Sequence, residues 1–81
     1  MVAQLMPLAM VSPGEEVTVV DIRAGRGLTQ RLADMGLMPG TILRVITSQM
    51  PGSVIIDLRG SRLALGFGVA QKIMVERTEN G

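Results

Sequence analysis

Val54, Ile56 and Leu58 alternate with Ser53, Asp57 and Arg59, the period-two signature of a strand with one buried face. Ile55 interrupts the polar side, so that face is expected to be partly covered. A second run rich in Val, Thr and Ile extends from Val17 to Arg23 behind the Ser12-Pro13-Gly14 turn, and a third covers Thr41 to Thr47. Gly60-Ser61 reads as a two-residue hairpin turn, after which Leu63 and Leu65 point inward from another strand. Phe67 to Lys72 reads as one helical turn. Ile73 and Val75 follow as a last short strand, with Met74 and Glu76 outward.

The period changes between the first and second long runs. Leu28, Leu32 and Met35 recur at helical spacing, so a helix over 28–35 should lay these three on a sheet and leave Gln30, Arg31 and Asp34 in water. Gly36 supplies the left-handed residue that ends it, Leu37 is placed to fold back on Leu32 as in a Schellman cap, and Pro39-Gly40 turns the chain into the next strand. At the start of the chain Met6, Leu8 and Met10 alternate around Pro7, predicting an edge strand or extended lead-in that covers an open barrel end.

These elements describe one mainly β domain over 1–81: a small SH3-like barrel of about five strands, one inserted short helix and a helical turn before the last strand. Its core runs from about residue 7 to 76, and 77–81 form a polar tail expected to fray. The competing OB-type barrel normally offers aromatic stacking positions, and this chain holds a single aromatic residue, Phe67. Hydrophobic residues make up 47% of the sequence, so Val, Ile, Leu and Met must fill the core. A chain of this length buries only roughly 60 to 65% of its unfolded surface, which leaves little room for a deep catalytic cleft.

The chain contains neither His nor Cys, which excludes a tetrahedral zinc site, a Ser-His-Asp relay and a thiolate nucleophile, and no catalytic or metal-ligating residue is assigned. Glu15 and Glu16 are adjacent and point apart, and Asp21, Asp34 and Asp57 fall on separate elements. Gly25-Arg26-Gly27 and Gly66-Phe67-Gly68 each resemble part of a phosphate loop, but no Gly-Lys-Ser/Thr completes either, and no cofactor is expected. Eight basic and seven acidic residues give a formal charge of +1 without a cationic block, so nucleic acid is not expected as a partner. No segment approaches the ~20 apolar residues of a membrane span, and the lack of cysteine suits an intracellular setting. Seven methionines are many for this length, and exposed Met makes an adaptable binding surface.

The string Arg31-Leu32-Ala33-Asp34-Met35-Gly36-Leu37-Met38-Pro39-Gly40, together with Ile55 to Leu58, Gly60 to Leu65 and Ala70 to Val75, resembles the ferrous iron transport protein A (FeoA) family. The most specific piece is Arg-Leu-x-x-Met-Gly-Leu-x-Pro-Gly, in which Leu32, Met35, Gly36, Pro39 and Gly40 carry the structural motif. The resemblance implies a cytoplasmic, non-enzymatic SH3-like module acting with FeoB, a membrane GTP-binding ferrous iron transporter, without itself entering the membrane. The alternative it leaves is a stand-alone metal-responsive or nucleic-acid-binding barrel, like the C-terminal domain of repressors of the diphtheria toxin repressor type. Leu37 and Met38 leave the helix where a small barrel has little interior to bury both, so with Arg31 and Met50 they form the expected partner-binding patch.

Overall fold

The computed structural model describes residues 4–49 and 52–78. Its elements are β1 (Met6–Pro7), a 3-10 turn (Leu8–Met10), β2 (Glu16–Ile22), α1 (Arg26–Asp34), β3 (Ile42–Ser48), β4 (Ser53–Leu58), β5 (Ser61–Gly66), α2 (Phe67–Ala70) and β6 (Ile73–Arg77). The strands form one antiparallel sheet in the order β1-β6-β2-β3-β4-β5. The sheet curls around a core of Leu8, Val17, Val19, Leu32, Leu37, Leu43, Val45, Val54, Ile56, Ile73 and Val75, each at most 2% exposed. α2 packs on β4 and β5 on one side and on the 3-10 turn after β1 on the other, spanning the gap between the two sheet edges. This is the small SH3-like barrel that the alternation predicts.

β2 and β3 each carry one irregularity, between Val19 and Asp21 and between Val45 and Thr47. Such bulges bend a strand sharply, which helps so short a sheet to curl. Val20, at the first of them, is turned to solvent.

Several expectations are corrected. The 28–35 helix begins earlier, at Arg26, because Gly25 is the extended N-cap and its carbonyl accepts the Thr29 amide at 3.0 Å. The N-terminal arm pairs as an edge strand only over Met6–Pro7. It then tightens into the 3-10 turn, which sinks Leu8 and Ala9 into the core and leaves Met10 71% exposed. The hairpin turns at Arg59-Gly60 rather than Gly60-Ser61, for Leu58 faces Ser61 and both turn residues have positive φ, 54° and 88°. That pair of left-handed residues is the type I′ geometry that suits the twist of the flanking strands. Met74 is buried rather than outward, because β6 is an interior strand and Pro7 of β1 and Asp21 of β2 flank Met74 in register. Arg77, expected in the fraying tail, pairs with Val17, and the Thr78 amide donates to the Glu16 carbonyl at 3.2 Å.

Candidate functional site

The helix end is built from its backbone outward. The Leu37 amide donates to the Leu32 carbonyl at 2.8 Å and the Gly36 amide to the Ala33 carbonyl at 2.9 Å, the paired bonds of a Schellman cap, with Gly36 at φ 95°. Leu37 is thereby folded beneath the helix beside Leu32 and is fully buried. The chain then turns at Met38–Thr41, where the Thr41 amide returns to the Met38 carbonyl at 3.0 Å and Gly40 takes φ 97°, a type II turn with Pro39 leading. The Gly40 amide donates to the Val19 carbonyl at 2.8 Å, and the Thr41 hydroxyl to the Gly36 carbonyl at 2.9 Å. The segment that follows the helix is therefore fixed at both ends.

That rigidity sorts the expected patch. Leu37 is a core residue and is corrected out of it, whereas Met38 is 44% exposed. Arg31 is exposed on α1 but does not line the groove that Met38 enters, and Met50 lies outside the described residues. Met35, assigned with Leu28 and Leu32 to the sheet-facing side, is 43% exposed. The cap explains this: once Leu37 fills the space next to Leu32, the helix's last turn has no interior left for Met35.

Met35 and Met38 open onto a groove of about 520 Å³ between the helix end and the β4–β5 hairpin. Asp34, Gly36, Thr41, Leu58, Arg59, Ser61 and Leu63 complete its walls. Leu58 forms the floor beside Gly36, where a Cβ on the glycine would lie 3.3 Å from the leucine Cδ2. Asp34 is held at the rim by Gln30, whose Nε2 donates to Oδ1 at 3.0 Å. A smaller depression of about 330 Å³ on the neighbouring face, between β2, β3 and the hairpin, is lined by Glu16, Arg44, Asp57 and Arg59 with Ile42, and is mainly charged. The groove combines apolar, deformable thioethers with a polar rim of Asp34, Thr41, Arg59 and Ser61. Among the described residues no group of three or more His, Cys, Asp or Glu could hold a metal ion, and no helix is long and apolar enough to cross a membrane.

Sequence reasoning expected Met38 to be exposed, as it is, but missed the hairpin half of the groove. Leu63 and Arg59 are distant from the helix in the chain, and only the β4–β5 register brings them opposite Met35. The positional signal that was available is the leucine after the glycine: a residue that caps the helix must displace whatever precedes it.

Comparison with known proteins gives three kinds of match. The family model described as the FeoA domain covers residues 6–77. A Methanocaldococcus jannaschii protein, "Putative Fe(2+) transport protein A", is 51% identical over 77 residues, which are 95% of this chain and 93% of that protein. The crystal structure of an iron uptake regulatory protein (FeoA) superposes with a TM-score of 0.87 at 37% identity, covering 93% of this chain and all of that one. A manganese-dependent transcriptional repressor superposes with a TM-score of 0.85 at 22% identity, over 96% of this chain and 44% of its own; that likeness shows the fold alone.

Proposed function

The chain belongs to the FeoA domain family, and from that premise we propose that it serves ferrous iron uptake as a non-enzymatic adaptor that docks on the cytoplasmic side of a FeoB-type GTP-binding iron transporter. The carrying observation is the groove formed by Met35 and Met38. The matched relatives bear names of iron transport and uptake, while this chain has no histidine or cysteine with which to hold iron in a soft-ligand site. What it does present is an apolar groove on a rigid turn, ringed by polar side chains. Thioethers suit a partner that is recognised by shape and apolar contact, because their flexible, polarisable chains repack against many surfaces.

The test is Met38→Asp. A carboxylate in an apolar contact must be desolvated without a partner, so this substitution is expected to remove most affinity for the membrane-embedded transporter. The side chain is exposed in the free protein, so the variant should melt as the parent does. A variant that melts normally and binds with parental affinity would place the docking surface elsewhere.

A further inference from the structure

β5 is the last strand in the sheet order, and among the described residues no further strand pairs with its outer side. Register tells which of its backbone groups are free. Leu58 and Ser61 close the two-residue hairpin, so Ser61, Leu63 and Leu65 direct their N–H and C=O toward β4, and Arg62 and Ala64 direct theirs away from the sheet. The same alternation continues at Phe67, whose amide reaches the Gly52 carbonyl at 3.1 Å. Arg62 and Ala64 are both exposed, and neither takes part in the turn, loop or cap hydrogen bonds among the described residues. The opposite edge differs. β1 has two residues, one of them Pro7 with no N–H to offer, and it is followed at once by the 3-10 turn.

We propose that the β5 edge is a strand-addition site, at which an extended segment of the partner pairs with the backbone of Arg62 and Ala64 and sets alternate apolar side chains into the Met35–Met38 groove. Ser61 and Leu63 of this edge strand also line the groove, so a strand laid beside them covers its open side. Backbone pairing and groove filling therefore come from one occupant, as in the recognition mode in which a peptide extends an existing sheet.

Charge selects that occupant. Arg59 and Arg62 both sit at this end of the sheet, β5 itself carries no acidic residue, and the ion pairs of the described residues engage Arg23, Arg44 and Arg77 instead. The Asp57 carboxylate opposite Arg62 is turned to the hairpin, where its Oδ1 accepts the Gly60 amide at 2.8 Å. Two copies meeting through this edge would place arginines of both along one seam with no acidic residue on either β5 to offset them, which is unfavourable. An acidic residue among the alternating apolar ones of a different chain meets them favourably. The occupant is thus a partner segment of the form apolar-x-apolar with a carboxylate opposite Arg62, and the assignment rests on the docking reading above.

The experiment is residue-resolved amide hydrogen exchange on the full chain, alone and with synthetic peptides tiling the soluble segments of the transporter, beside binding of the intact transporter to the parent, Met38→Asp, Arg62→Glu and Ala64→Pro proteins. One acidic, alternating peptide is expected to slow exchange at Arg62 and Ala64 by about tenfold or more, while Leu63, already bonded to β4, is little changed. Ala64→Pro removes only an outward-facing donor, and is expected to keep the melting temperature within a few degrees and lose that peptide. Arg62→Glu, which leaves every backbone group in place, is expected to weaken it by about tenfold or more through charge reversal. If no peptide protects Arg62 and Ala64, strand addition is overturned, whatever the intact transporter does. If in that case the transporter still binds in a Met38-dependent way, docking through the groove stands without it. Failure of the parent to bind the transporter overturns the docking reading itself. Protection that appears on concentrating the chain alone assigns the edge to a second copy and overturns the acidic partner.

Discussion

Gly36 meets two demands at once: a backbone at φ 95° and a close neighbour, since a Cβ there would press on Leu58 at 3.3 Å. Gly36→Val is therefore expected to destabilise the domain by about 1 to 2 kcal/mol from the left-handed backbone, and by more if Leu58 cannot give way. In a domain of this size that lowers the melting temperature by roughly 4 to 16 °C, which a thermal melt reads directly. The next two residues make a contrast that sequence alone could not draw. Leu37 is fully buried, so Leu37→Ala should cost about 2 to 5 kcal/mol, a large part of a small domain's stability, and show as an early unfolding midpoint in urea. A normal midpoint would mean that Leu37 is not a core residue. Met38, its neighbour, is nearly half exposed and free for contact.

Among the elements, the β4–β5 hairpin turns on an arginine in a conformation that glycine and asparagine adopt more readily, and Arg59 is the one non-glycine with positive φ among the described residues. Arg59→Asn is expected to raise stability by about 0.5 to 1 kcal/mol, measured by denaturant unfolding, because asparagine tolerates the left-handed region better. A loss of stability would show that the arginine side chain compensates for its strained backbone. This turn also marks where sequence reading stops. The alternation of Val54, Ile56 and Leu58 was legible because each residue's face depends only on its neighbours, and so was the cap, whose glycine and leucine act within one helical turn. The turn's position slipped by one residue because Arg59 gives no left-handed signal. The 3-10 turn of the N-terminal arm was hidden for a different reason: its burial is decided by β6 and α2, far away in the chain. The groove divides along the same line, with Met38 found from local pattern and Leu63 and Arg59 supplied by strand register.

At the scale of the whole molecule, the chain has a thin apolar core, scattered carboxylates and no cluster of metal-binding side chains among its described residues. Titration of the free protein with ferrous iron under anaerobic conditions is expected to show no site tighter than about 1 μM, a limit of roughly 8 kcal/mol of binding free energy. A stoichiometric site below that limit would refute a purely adaptor role. The arrangement of the sheet has a further consequence, for how the chain comes to be folded at all. Met6 pairs with Val75 and Val17 with Arg77, so the first two strands are held by β6, which is synthesised after every other described strand. While the nascent chain is still emerging, β2, β3, β4 and β5 can form a local meander, but Leu8, Ala9 and Val11 have no β6 to pack against and remain wet. Closure must wait until β6 has emerged from the ribosome, and it joins parts of the sequence far apart, the kind of topology that folds slowly for its size. During that interval β2 lacks a neighbour along its own outer side, and the exposure of this apolar strand, which the finished barrel conceals, is the period in which the protein is most open to aggregation.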